Sequence, residues 1–146
     1  MVVGIQWKWM RFRELLILLA LSVAICHGAD PATISLRGKL TQRDGKPALE
    51  LSSHKLMPLD GDEATRGILK DKRLAGADLE ATGHYESPDK FVIDPIHTTA
   101  LHVYHDGVRH KISYWCEVCS IRTYTPGICW CCQQETALDL QKEDKE

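Results

Sequence analysis

The sequence predicts a mainly β fold: a closed barrel with one short helix, followed by a small C-terminal cysteine knuckle. Three observations predict it. Short runs alternate apolar and polar residues and are punctuated by Asp-Gly turns, the pattern of half-buried strands. One helical stripe falls between the third and fourth runs. Five of the six cysteines crowd into the last third of the chain.

Taken in order, residues 33–41 place Ile34, Leu36, Gly38 and Leu40 on one face, as in a strand with one side buried. Asp44-Gly45 predicts a hairpin turn. Residues 48–51 form a second strand with Leu49 and Leu51 inward, and 56–59 a short third. Asp60-Gly-Asp-Glu63 has capping-box spacing, with Asp60 placed as the cap and an acid three residues on. Ala64, Ile68 and Leu69 then share a helical stripe that ends at Ala75-Gly76, and Gly67 weakens this helix. Residues 77–84 alternate again with Leu79 and Ala81 inward, and 91–94 form a strand closed by Pro95. Residues 100–105 and 108–114, joined by Asp106-Gly107, make a final hairpin leading into Cys116. Three strands, a helix and further strands give the order of an OB-like barrel, assigned to residues 30–114. A rolled α+β sheet is the competing architecture.

The start of the chain reads as an export signal. Lys8, Arg11 and Arg13 precede an apolar run from Leu15 to Ile25, and Gly28 and Ala29 follow as small residues. The run is short for a membrane-spanning helix, which needs roughly 20 apolar residues. Residues 1–28 are therefore expected to be a cleaved signal peptide, with Met10 as a possible true start. An uncleaved anchor is the alternative, and a lipid on Cys26 is disfavoured by the bulky Ile25 before it. The expected setting is extracytoplasmic, periplasmic or secreted. Cleavage removes three of the 18 basic and one of the 20 acidic residues, so the mature chain carries a charge of about −4. That balance argues against nucleic acid as a partner, whose binding rests on a basic patch. It also leaves the membrane as a partner only through an uncleaved leader. An unknown protein or small ligand remains as the expected partner.

The chemistry is concentrated at Cys116-Glu-Val-Cys119 and Cys129-Trp-Cys131-Cys132. Two Cys-x2-Cys pairs at short range can wrap one tetrahedral ion with four thiolates, so Cys116, Cys119, Cys129 and Cys132 are the candidate ligands of a structural zinc. Cys131 is the spare, or an alternative ligand. Residues 115–140 form this zinc-ribbon-like segment, and 141–146 a charged tail. Disulfides within the cluster remain open, because thiols pair outside the cytoplasm. So does an extracytoplasmic thiol-redox or metal-handling role, since soft thiolates suit iron or Cu(I) as well as zinc. Trp115 before Cys116 is reminiscent of a thioredoxin active site, but too little chain follows Cys119 to complete that fold. Haem attachment needs His after the second cysteine, where Ser120 and Gln133 stand.

Pro126-Gly127 predicts a turn that returns the second pair to the first. Trp115, Trp130, Tyr114 and Tyr124 flank the cysteines and are expected to shield the sulfurs from water, with a ligand-stacking platform as the alternative. Five of seven histidines lie between His84 and His110. In the final hairpin, strand alternation puts His105 and His110 on one face and His102 on the other with Arg109 and Lys111. His102 and His105 therefore cannot grip one ion from a regular strand. His97 is the most loop-like of the set. Nothing marks a catalytic residue: Asp60, Asp62 and Glu63 are accounted for as caps, and no glycine-rich phosphate loop is present. A binding or scaffold role is expected over turnover.

From Leu36-Arg-Gly38 through Leu74-Ala-Gly-Ala-Asp-Leu-Glu80, Ile93-Asp-Pro-Ile-His97 and the cysteine-bearing stretch from Tyr114 to Thr136, the chain resembles an uncharacterised group of small exported bacterial proteins. That resemblance implies a bacterial envelope or secreted setting and an OB-like domain. It carries no established activity and transfers no catalytic residue.

Overall fold

The computed structural model describes residues 32–143. The expected leader, the start at Met10, Cys26 and residues 144–146 lie outside that range. Among the described residues, no helix is long and apolar enough to cross a membrane.

Among the described residues, nine strands form one sheet that curls on itself. They are β1 (Ile34–Arg43), β2 (Lys46–Leu51), β3 (Leu56–Asp60), β4 (Asp78–Ser87), β5 (Lys90–Ile93), β6 (Leu101–His105), β7 (Val108–Cys116), β8 (Ile121–Thr123) and β9 (Ala137–Lys142). The first five close a barrel in the order β1-β2-β3-β5-β4, with β4 returning to β1. The β3–β5 pair is parallel and the other pairs are antiparallel. Helix α1 (Glu63–Leu69) and a 3₁₀ turn (Lys72–Leu74) connect β3 to β4. This is the OB-like barrel the element order predicts.

The sequence explains the closure. Asp44-Gly45 and Asp106-Gly107 both have two successive positive φ angles, the I′ geometry that matches strand twist in tight hairpins. At the two most crowded points of the barrel, a glycine is required. A Cβ on Gly38 would stand 2.2 Å from the Glu50 carbonyl oxygen, and one on Gly83 would stand 2.1 Å from that of Val92. Gly38 pairs with both β2 and β4, and Gly83 with both β1 and β5, so the strands coil where they are paired on both sides. Leu40, Leu49, Met57, Leu79, Ala81 and Phe91 fill the interior, with Ile68 and Leu69 of α1 packed among them. The alternation that predicted Leu49, Leu79 and Ala81 as inward is met by full burial of all three.

Three local expectations are corrected. The cap of α1 is Asp62, whose side chain accepts from the Thr65 N–H, and not Asp60. Asp60 closes β3, accepts from the Gly61 N–H, and pairs with Arg66 and Lys90. The helical stripe stops at Leu69, and the path to Gly76 is completed by the 3₁₀ turn that Asp71 caps. A second one-turn helix, α2 (His97–Ala100), follows β5 where a loop and the start of a strand were expected.

Beyond the barrel, β4 pairs β5 along its second half and β6 along its first, so the sheet continues through β6 into β7. Strand β7 is then flanked by β8 against residues 114–116 and by β9 against residues 110–115. The chain end expected to be a charged tail is strand through Lys142. Glu143 follows it, donating its N–H to the Arg109 carbonyl and accepting from Arg109 through its side chain.

Candidate metal centre

Strand β7 delivers Cys116 as its last residue, buried against the core. The chain then turns and Ser120 donates its N–H to the Cys116 carbonyl at 2.8 Å, with Ser120 in the left-handed region at φ 52°. The second pair repeats this arrangement. Gln133 donates its N–H to the Cys129 carbonyl at 2.9 Å and sits at φ 61°. Each loop is thus a Cys-x2-Cys turn ended by a left-handed residue four positions after the first cysteine, a geometry that costs a non-glycine residue about 1–2 kcal/mol. The sulfurs are treated alike too. Cys119 and Val118 N–H groups are directed at the Cys116 sulfur, and Cys132 and Cys131 N–H groups at the Cys129 sulfur.

The two loops face each other. The sulfurs of Cys116, Cys119, Cys129 and Cys132 all lie within 4.8 Å of one another, and those of Cys116 and Cys132 are 3.4 Å apart. A tetrahedral ion with bonds of about 2.3 Å to sulfur sets its ligands roughly 3.8 Å apart. The spacing suits a single ion and is tight for a cluster of several irons. The four cysteines can therefore hold a metal ion, and they are the four that the doubled spacing picks out. Cys131 is exposed and outside the quartet. All five are free thiols in the structure.

The electrostatics favour a cation. The Cys132 and Cys131 N–H groups hold the Cys129 thiol down to about 7. The Cys119 and Val118 N–H groups act in the same sense on Cys116, but burial and the neighbouring Cys132 and Cys129 sulfurs leave its thiol raised. Cys119 is raised, first by the sulfur of Cys131 and then by that of Cys132. Without a counter-charge the four sulfurs cannot all be thiolates at this distance. A divalent ion removes that conflict, because metal binding displaces the protons.

Backbone bonds hold the second loop. Cys129 donates its N–H to the Gln134 carbonyl at 2.7 Å, and Ile128 bridges to Glu135. Gly127, at φ 141°, lies in the expected Pro126-Gly127 bend, and its carbonyl accepts from both the N–H and the hydroxyl of the buried Thr136. The barrel grips this loop through Arg73 of the 3₁₀ turn, whose Nη1 donates to the Thr136 carbonyl. Arg73 also pairs with Asp71 and lies over the Tyr114 ring.

The comparisons with known proteins are silent: no protein-family model, curated protein or solved structure matches the chain.

The four aromatic residues expected to cover the sulfurs divide between buried and exposed positions. Tyr114 is buried in the barrel core, Trp115 lies on the sheet with Arg122 over its ring, and Trp130 is 73% exposed. Cys116 and Cys129 are shielded by the fold itself. Among the described residues the four cysteines form the one converging group of metal-ligating side chains. His105 and His110 do approach diagonally, with ring centroids 6.2 Å apart. His97 Nε2 donates to the Tyr124 carbonyl at 2.9 Å. His102 faces away from His105 as alternation requires, beside Lys111. Yet it is only 1% exposed, with the Glu143 carboxylate 3.8 Å from its Nε2. The left-handed ends at Ser120 and Gln133 were missed from sequence. A polar residue directly after the second cysteine of each pair was the available signal.

Proposed function

We propose that the protein is a small exported binding or scaffold protein whose C-terminal end is organised by one structural zinc ion. Cys116, Cys119, Cys129 and Cys132 hold the ion. The matched pair of Cys-x2-Cys turns, each ended by a left-handed residue and each supplying N–H donors to sulfur, carries this reading. Four protein ligands leave no open position, which is the arrangement of structural rather than catalytic zinc. All-sulfur tetrahedral sites suit zinc or iron. Zinc holds its oxidation state in an oxidising compartment, which the leader-like N-terminus and the resemblance to small exported bacterial proteins favour. The partner is a protein or small ligand received by the barrel. A cleft of about 400 Å³ between β1, β2 and the end of α1, lined by Lys39, Thr41, Glu50, Leu69, Asp71 and Lys72, offers a place for it.

Metal analysis of protein purified from its native compartment tests the proposal, together with alkylation and mass measurement. One zinc per chain, four protected thiols and one reactive thiol at Cys131 are expected. Two stable disulfides and no metal would replace the zinc site with a plain staple. A second reading, an extracytoplasmic thiol-redox or copper-handling protein, is favoured by the exposure of Cys131 beside the lowered Cys129 thiol. Copper in the purified protein, or a reversible metal-free thiol pair, would select it.

A further inference from the structure

Among the described residues, six large hydrophobic side chains are exposed, and five of them belong to one end of the molecule. Val118 lies inside the first Cys-x2-Cys turn and Trp130 inside the second, 69% and 73% exposed. The two turns face each other through sulfurs within 4.8 Å. Ile128 precedes the buried Cys129 as Trp130 follows it, and is exposed too. Tyr124 opens the loop that leads to Ile128, and its carbonyl accepts from His97, the chain neighbour of Ile96. Tyr124 and Ile96 complete the exposed set. Five such side chains approach the roughly 300–600 Å² of the largest apolar patch on a soluble monomer. They fall short of the ~800 Å² per partner of a standard protein interface.

Charge, backbone and chain entry bear on what covers them. From Ser113 to Thr136 the charged side chains are Glu117, Arg122 and Glu135, and Arg122 is held by Asp139 at 2.8 Å. Two carboxylates and no free cation remain in this stretch, so an anionic partner or an anionic lipid is not attracted. Trp and Tyr, by contrast, are the side chains that concentrate where membrane meets water. The N–H groups of Ser120, Cys129, Gln133 and Thr136 are bonded within the turns and their loop. The tips can therefore enter a water-poor phase without stranding those donors. The Thr33 hydroxyl donates to the Asp94 carboxylate at 3.3 Å, two residues before Ile96, so the described chain enters the fold at this end. A chain held at a membrane by its N-terminus presents these side chains to it.

We propose that the two cysteine turns, through Val118, Ile128 and Trp130, dock on the surface of a phospholipid bilayer of low charge. The acidic balance of the chain argues only against attraction to anionic lipid. Insertion of exposed apolar side chains is governed by the apolar area they bury. The inference goes beyond the barrel cleft as a place for a partner, and it does not depend on which ion the cysteines hold.

The test uses protein purified from its native compartment and phosphatidylcholine vesicles. Co-sedimentation reads partition, and amide-exchange mass spectrometry reads the place of contact. Wild type is expected to bind equally at low and high salt. Protection should rise in peptides over residues 117–119 and 124–131 and stay unchanged at Asp44-Gly45, beyond the far end of β1. The double variant Ile128→Ser with Trp130→Ser changes two surface side chains and is expected to bind more than about tenfold more weakly, with the local protection lost. Val118→Ser, in the other turn, should weaken binding by less and guards against a folding defect in the double variant. A leader retained by the protein adds to partition in all three alike, and the local protection is read apart from it. Equal local protection in wild type and variants would overturn the proposal. So would binding that needs phosphatidylglycerol and is lost in salt. Wild type that dimerises without vesicles and is protected at the same peptides would make a second copy the occupant and overturn it as well.

Discussion

Arg73 reaches out of the 3₁₀ turn and donates to the carbonyl of Thr136 at 2.6 Å, tying the barrel to the loop that carries Cys129 and Cys132. The same guanidinium neutralises Asp71, whose side chain is almost wholly buried. Replacing Arg73 by Ala removes the guanidinium from both: the Asp71 carboxylate keeps its bond from the backbone N–H of residue 73 but loses its counter-charge, and the Thr136 carbonyl loses this donor. Arg73 is itself one-third exposed, which tempers the loss. A decrease of about 2 kcal/mol in chemical denaturation is expected. A variant as stable as wild type would show that this tie contributes nothing.

Cys119→Ser and Cys131→Ser should separate cleanly. The first removes one of the four proposed zinc ligands, and structural zinc contributes on the order of 10–16 kcal/mol of apparent binding energy in small peptides. It should abolish tight zinc binding and lower the thermal midpoint strongly. The second should leave both unchanged. Equal losses from the two would contradict the assignment of Cys131 as the spare.

The left-handed ends of the two turns predict an unusual gain. Ser120→Gly and Gln133→Gly relieve a backbone cost without touching a sulfur ligand, and each should stabilise the metal-loaded protein by about 0.5–1 kcal/mol. Substitution by Val at either position should destabilise. Denaturation of all four variants in parallel reads the sign, and loss of stability on Gly substitution would remove the argument for strain.

Gly83→Ala should be severe. The added carbon would overlap the Val92 carbonyl, which belongs to the β5 backbone and cannot rotate away. A cost of about 3 kcal/mol is expected, seen as a lowered midpoint in urea. Little change would mean that the barrel is looser at this point than the structure shows.

His102 predicts a pH dependence. Burial first, and then the charge of Arg109, push its pKa below the ordinary histidine value, against the opposing pull of Glu143 and Glu80. Its Nδ1 has no hydrogen-bond partner. In the unfolded chain the group takes up a proton near pH 6.5, and in the folded protein only at lower pH. The unfolded state thus binds more protons in between, so stability is full above about pH 6.5 and falls as the pH drops toward the folded value. His102→Gln should flatten that slope. A slope unchanged in the variant would assign it to another group.

The barrel was legible because its signals are local. Asp44-Gly45 and Asp106-Gly107 announce their turns by residue type, and alternation placed Leu49, Leu79 and Ala81 inside. The convergence of Cys116, Cys119, Cys129 and Cys132 was legible because paired Cys-x2-Cys spacing turns both sulfurs of a pair the same way. What escaped depends on distant chain or on faint local signals. His102 is buried where β9, pairing with β7, brings Glu143 to within 3.8 Å of it. Helix α2 is a single turn with no side-chain cap, entered through a left-handed Ile96. The cap of α1 shifted from Asp60 to Asp62 because β3 runs one residue further than its apolar pattern suggested, and Asp60 serves its end.

Strand β9 begins only a few residues after Cys132, and β7 ends at Cys116. An ion joining those two cysteines therefore acts as a short covalent tether between neighbouring strands, closing a ring of roughly 17 residues and sparing β9 most of the entropy of finding its place. Amide exchange toward the Lys142 end of β9 would then report on whether the ring is shut.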